Sequence, residues 1–451
     1  MEGLGLYENS VEDSSDFGED SDFEEDTEGD TSDGEDFAGV SSLQTLFNLA
    51  KCMIGEGMLS LAAGLGSSTS LPVGIAICIC FALLMSFSFS MIGRVCDATG
   101  SKTLSGCCDR VGYPRLGIAM AASITMLTAV CCTSFCIVLG DNVSHILQAL
   151  GASGIWGTYE FALLAVIVVI EIPLCLIRDM SKLALTSFIG VTCELGVITF
   201  MAVRYFDGSY APGGQYYGTL DERQLPDLNP PPRMFKLGPK TALLVCSLST
   251  AYIAHFQAPK FYHQLRQRSM RRFNVVTAAS FSLASVVFLA TMSFGFLTFG
   301  RHSQGNILEN YSTKDPLATV ARTGMSVAVA FGFPIVFTGL RDSTLEVLGL
   351  SGARRRWFFT STLGLLVPLV VAACFFDDLG SVNEYTGSIF GSLTSLIYPA
   401  VLCYLTLKLL GDKFDGPTAG KIVAFFLFAV GFLQLTVGTT FVSLDLAGVS
   451  L

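Results

Sequence analysis

Eleven long apolar stretches leave this chain few ways to fold. They run at about 43–65, 71–96, 116–140, 158–177, 181–204, 241–258, 274–299, 316–340, 355–376, 386–408 and 420–443. Each can cross the ~30 Å of a bilayer's hydrocarbon as a helix of about 20 residues. A span in lipid must satisfy its own peptide groups, which helices do, and these runs are longer than a barrel strand needs. The prediction is an all-α polytopic membrane protein with eleven transmembrane helices. Only 14% of the residues are charged, well under the about 25% of a soluble domain.

The charge that exists is unevenly placed. Of 38 Asp and Glu, 16 fall within residues 1–37, where there is no Lys or Arg. Residues 1–40 therefore read as an acidic, disordered cytosolic tail that cannot bury enough apolar surface to fold. Two readings stay open for it: a solvated tail, or a regulatory one, since Ser14, Ser15, Ser21 and Ser32 sit beside acids. It lacks the basic and apolar regions of a cleavable signal peptide, so insertion falls to the first span. Beyond the tail 22 acids face 27 Lys and Arg, so the net charge of −11 belongs to the tail, and nothing points to a nucleic-acid partner. The 14 Cys include pairs such as Cys78/Cys80 and Cys131/Cys132 inside apolar runs, which reads as buried thiols rather than a disulfide scaffold.

Lys and Arg set the orientation. With the N-terminus cytosolic, 18 of them fall on the cytosolic side and 7 opposite, leaving Lys51 and Arg322 within spans. The sequons at Asn142 and Asn310 then lie on the non-cytosolic side as candidate glycosylation sites. So does the Pro-rich stretch 205–240, expected to be an irregular loop. No retention or lipidation signal chooses between the plasma membrane and a vacuolar or other endomembrane.

Two spans carry unusual chemistry. The first reads Asn48-Leu49-Ala50-Lys51-Cys52-Met53-Ile54-Gly55-Glu56-Gly57. A Gly-x-Gly at mid-membrane weakens a helix, and Lys and Glu there are costly. An unwound midpoint would free amides able to hold a carboxylate and carbonyls able to hold a cation. The alternative is close helix packing on small residues, with Lys51 snorkelling or paired to Glu56. The sixth span holds Ser247, Ser249, Thr250, His255 and Pro259; its His is either a satisfied interhelical group or one that titrates or faces substrate. Glu171 and Glu194 are candidates for proton relay or for pairing with a neighbouring helix. Asp141 and Glu160 are expected at the interface, and Arg322 near the membrane surface. The four His are scattered, and no metal cluster, Walker motif or nucleophile elbow appears, so neither a cofactor nor an enzyme is indicated.

The stretch Lys51–Ser60 resembles the first helix of the amino acid/auxin permease family. Residues 172–183, Ala258-Pro259-Lys260-Phe261-Tyr262, Asp315-Pro316-Leu317-Ala318-Thr319 and Gly332–Arg341 add four more similarities in order, over about residues 40–442. The resemblance implies a LeuT-like 5+5 inverted repeat plus one peripheral helix, with repeats at about 41–204 and 241–408 and the eleventh helix at 420–443. It places broken helices at spans 1 and 6 and substrate at Gly55, Glu56 and Gly57 on one side and Ser249, Thr250 and Ala251 on the other. Sodium-coupled relatives carry Asn where Lys51 stands and a hydroxyl in the eighth span; here Ser326 is the nearest. Lys51, Asn48, His255, Glu171, Glu194 and Ser326 are the coupling and gating candidates. Glu56 departs from the family's usual small residue between the glycines.

The expected function is secondary transport of amino acids by alternating access, sodium-independent, with protons as the candidate coupling ion and lipids as the surrounding partner. A sodium-coupled transporter, or an amino-acid sensor signalling through the tail, are the alternatives.

Overall fold

A computed structural model describes residues 39–177, 184–227, 237–350, 354–376, 378–411 and 417–449. The acidic tail with its serines, the basic junction after Ile177 and the Pro-rich centre of the 205–240 loop lie outside those residues.

Among the described residues the chain is helical, with two isolated bridges and no strand. The elements run α1 Ser42–Met53, a 3-10 turn Glu56–Ser60, α2 Leu61–Ser68, α3 Leu71–Thr99, α4 Leu104–Arg110, α5 Pro114–Ala149, α6 Tyr159–Val166, α7 Ile172–Cys175 and α8 Ala184–Phe206. They continue with α9 Thr241–Ala251, α10 Ala258–Gln264, α11 Met270–Phe299, α12 Pro316–Val347, α13 Arg354–Phe375, α14 Leu379–Thr386, α15 Tyr398–Leu410, α16 Pro417–Leu433 and α17 Thr439–Leu446.

Local chemistry marks the boundaries. Ser41 Oγ accepts from Gln44 N to cap α1, and Asp315 and Asp378 cap α12 and α14 in the same way. Proline opens α3, α5 and α12, where its missing N–H costs nothing. Gly100 ends α3 at φ +69°, in the left-handed region that glycine enters freely. Hydroxyls inside spans bond back to the preceding turn, as Thr128 does to Ile124 O and Thr291 to Val287 O, so they need no outside partner.

Among the described residues nine helices are long and apolar enough to cross a membrane, and α1 with the segment Glu56–Gly66, bent by 48° at the break between them, makes a tenth if the pair is taken as one span. The expected fourth span is shorter than drawn from sequence. Helical runs of eight, five and four residues follow one another from Tyr159 to Cys175, the middle one a π turn. Similar π turns interrupt the last two spans.

Burial sorts centre from rim. The span Thr241–Gln264 is 72% buried, whereas the spans of α13 and of α16–α17 are 22% and 28% buried and turn Phe425, Phe426 and Val371 outward, as lipid-facing helices do. The broken first span, α9, α11 and the α14–α15 span share the interior. Gly387 and Gly391 let α9 lie almost backbone to backbone against that last span, because a Cβ at Gly387 would run into the carbonyl of Cys246. The cysteines are free thiols among the described residues, most of them buried.

Candidate substrate-binding site

Both spans with odd sequences are broken. The first helix stops at Met53, where Ile54 N–H still bonds to Ala50 O, and resumes at Glu56. The sixth stops at Ala251; Tyr252–Ala254 are non-helical before a short turn leads into α10. The two breaks touch. A Cβ at Gly57 would stand 3.0 Å from Ala251 Cα, so the second glycine of Gly-Glu-Gly is required by close approach of the other backbone. Gly55 is different: it is extended, and nothing stands within 4 Å of the place a Cβ would occupy. It faces open space.

That space is a cavity of about 520 Å³ lined by Gly55, Glu56 and Gly57 from the first break and by Thr250 and Ile253 from the second. Cys131 and Phe135 of α5, with Ala328, Val329 and Gly332 of α12, form its apolar wall. It runs to the end of the bundle where Val40, Gln44, Lys260 and Gln264 stand, the end at which Val40 bridges to Leu265. The volume lies within the ~300–1,000 Å³ of small-molecule sites.

Of the residues singled out from sequence, Asn48, Lys51, Gly55, Glu56, Gly57 and Thr250 line this cavity. Ala251 supports it from behind by packing on Gly57. Ser249 faces away, its hydroxyl beside Gly391. His255 is fully buried elsewhere: Nε2 is 3.1 Å from Met85 O, and the ring meets Phe89 and Phe281 edge-on at 5.5 and 6.2 Å. Its surroundings are those of a packed interhelical group. Glu171 ends the π turn of the fourth span, fully buried, with neither carboxyl oxygen hydrogen-bonded among the described residues, and it does not line the cavity. Nor does Ser326.

Lys51 and Glu194 meet. The Lys51 ammonium bonds to the Glu194 carboxylate of α8 and lies 3.4 Å from Ile54 O, a carbonyl freed by the break. The side chains are 9% and 1% exposed. Lys51 thus pairs across helices rather than with Glu56, and its charge sits at the negative end of a half-helix, where a cation is favoured. Gly190, one turn before Glu194, makes the room: a Cβ there would be 2.7 Å from Lys51 Cε.

One organising residue escaped the sequence reading. Asn383, fully buried on α14, donates to Ser60 Oγ at 3.2 Å, accepts from Ser134 Oγ at 3.5 Å, and takes the Thr250 hydroxyl on its backbone carbonyl. Ser60 in turn donates to Gly57 O at 3.1 Å. The Asn383 amide therefore ties the first break to α5, while its backbone carbonyl holds the second. Its sequence signal was an amide at the start of an apolar run, which looks like a loop residue.

Arg322, expected near the membrane surface, is fully buried in α12 and donates to the carbonyls of Leu308 and Tyr311, satisfying the backbone of the loop that leads into that helix. One expectation needs correcting. The sequon asparagines are also inside. Asn142 lies within α5, which runs on to Ala149, and is 1% exposed; Asn310 is fully buried, with both ends of its amide bonded to Gln304 N and His302 O. Glycans at these positions find no support in the folded chain.

At the opposite end the helices are tied together. Arg204, near the end of α8, grips Asp315 through two bonds of 2.8 and 2.6 Å, and Tyr210 donates to the same carboxylate at 2.9 Å. Asp315 also accepts from Leu317 N at 2.9 Å.

Comparisons with known proteins agree with this geometry. The family model described as "Transmembrane amino acid transporter protein" matches residues 38–444. Amino acid transporter AVT6E of Arabidopsis thaliana is 24% identical over 291 residues, 59% of this chain and 56% of that protein, so the match spans little more than half of its length. Sodium-coupled neutral amino acid symporter 2 of Danio rerio is 23% identical over 421 residues, 89% of this chain and 82% of that one. In fold the chain is similar to MhsT, solved in complex with L-phenylalanine, with a TM-score of 0.55 at 10% identity over 88% of this chain and 98% of that one. With most of its length matched by the model, this multi-pass membrane chain belongs to the transmembrane amino acid transporter family, the amino acid/auxin permeases.

Proposed function

We propose that the protein is a secondary transporter that carries amino acids by alternating access, without sodium and with protons as the coupling ion. The observation that carries this reading is the contact of two broken helices over one cavity, where the backbone of Gly55 and Gly57 and the carboxylate of Glu56 face an amino-acid-sized space. In this reading the fourth helical run completes eleven spans, spans 1–5 and 6–10 are the inverted repeats, and the N-terminus is cytosolic. The cavity, reaching the Val40 end, then opens to the cytosol while the Arg204–Asp315 cluster shuts the other side.

The coupling follows from Lys51. A fixed ammonium on the freed Ile54 carbonyl stands where a cation would have to bind, and Ala328, Val329 and Gly332 offer it no hydroxyl. Uptake of a panel of labelled amino acids into proteoliposomes tests both parts. Saturable uptake driven by a pH gradient and unchanged when choline replaces sodium is expected. No uptake of any amino acid would sink the transport reading, and strict sodium dependence the coupling.

A further inference from the structure

A carboxylate stands between the two glycines of the first break. Glu56 is 8% exposed and turned into the cavity, the one acid among the described residues that line it. Glu56 opens the turn Glu56–Ser60, so its side chain stands at the end of a helical segment that would otherwise be offered to an anionic guest. Lys51, five residues earlier, gives its ammonium to Glu194 and Ile54 O. The other cation on the lining, Lys260, is solvent-exposed at the open end. Glu56 thus has apolar walls at Phe135, Ile253 and Val329, and among the described residues no cationic side chain is bonded to it. When ionised, a carboxylate in such a place calls for a counter-charge.

We propose that Glu56 selects substrate by charge: it occupies the anion position at the break and accepts the guest's ammonium or guanidinium, so dibasic amino acids are preferred over zwitterionic ones. A guest carboxylate brought to the same break meets the Glu56 carboxylate, and two like charges at close range in a poorly hydrated site repel. Toward the open end the lining offers donors instead, in Asn48, Gln257 and Lys260. A guest with a cationic side chain held inward and its α-carboxylate outward satisfies both ends. A zwitterion leaves one end unmatched. This inference rests on the reading of the cavity as the amino-acid pathway.

The test is uptake of labelled lysine and leucine by proteoliposomes holding the full-length protein, its Glu56→Gln variant or its Glu56→Asp variant. For the unaltered protein, kcat/KM for lysine is expected to exceed that for leucine by about tenfold or more, the contribution of one charge-assisted contact. Glu56→Gln keeps the volume and removes the charge; lysine uptake should fall about tenfold, chiefly through KM, and the lysine-to-leucine ratio should approach one. A natural preference for leucine overturns the inference and leaves amino-acid transport standing, whereas absence of uptake for every amino acid overturns the underlying reading. An unchanged ratio with lost response to a pH gradient also overturns it, assigning Glu56 to the proton. If Glu56→Gln is not recovered as a monodisperse protein, Glu56→Asp decides: a raised lysine KM with lysine still preferred supports the inference, and an unchanged KM refutes it.

Discussion

Separating Lys51 from Glu194 is the most direct way to ask whether the first break holds a fixed charge. The side chains are 9% and 1% exposed, so solvent screens neither one much. Removing one partner from a buried ion pair leaves a charge in a poor solvent and costs about 3–5 kcal/mol, while replacing both with apolar side chains of similar size is often near neutral. Glu194→Gln and Lys51→Met should therefore each lower the unfolding free energy by about 3 kcal/mol or more, and the double variant by far less than their sum. Equilibrium unfolding of the purified protein by titrating SDS into mild detergent measures all four corners. Gly190→Ala adds an independent corner, because its methyl would stand 2.7 Å from Lys51 Cε and push the ammonium off its partner. It should destabilise the natural protein and do little once residue 51 is Met. Single losses under about 1 kcal/mol that simply add would mean that water screens the pair. Lys51 would then be no fixed ammonium, and the case against sodium would lose its physical basis.

Other perturbations follow from the same geometry. Gly57→Ala forces a methyl against Ala251 and should cost about 1–3 kcal/mol by overpacking, with uptake largely lost; Gly55→Ala, facing open space, should fold as well as the natural protein, and equal losses for both in SDS unfolding would contradict the contact. Asn383→Leu removes the donor to Ser60 and strands the hydroxyl of Ser134 and should cut uptake several-fold while the protein stays monodisperse on size exclusion, at about 1–3 kcal/mol for the buried group left unpaired; full uptake would remove the Asn383 amide as the tie between the first break and α5. Asp315→Asn weakens the bidentate grip of Arg204 and should alter the maximal uptake rate with substrate KM unchanged, and a change confined to KM would refute its placement away from the binding cavity.

Much of this was legible in the chain itself, because a bilayer allows so few backbone solutions. The long apolar runs foretold helical spans, and Gly-Glu-Gly foretold the first break, since a helix cannot easily carry two glycines and a charge at mid-depth. The partners were harder to read. Lys51 finds Glu194 143 residues away, a pairing that no local pattern announces and that depends on Gly190 being small. Asn383 fell just outside its predicted span because the helix begins earlier, at Leu379 behind an Asp378 cap, in a stretch too polar to read as membrane. His255 and Glu171 drew attention as polar groups in lipid, yet burial against Phe89 and Phe281 in one case and separation from the cavity in the other came only with the packing. Asn142 reads as a loop residue because α5 runs on to Ala149, past the hydrophobic limit visible in sequence, and Asn310 because nothing local shows that its loop is buried.

The carboxylate of Asp315 receives two guanidinium bonds, a phenol and a backbone amide, about as many donors as its lone pairs can serve. Nothing is left over for a bystander. Under the proposed alternating access, a latch so completely engaged would open as one event, and the far face would behave as a switch rather than as a gradually widening mouth. Because that switch shares no residue with the chamber holding the guest, evolution could retime the cycle without redrawing what is carried.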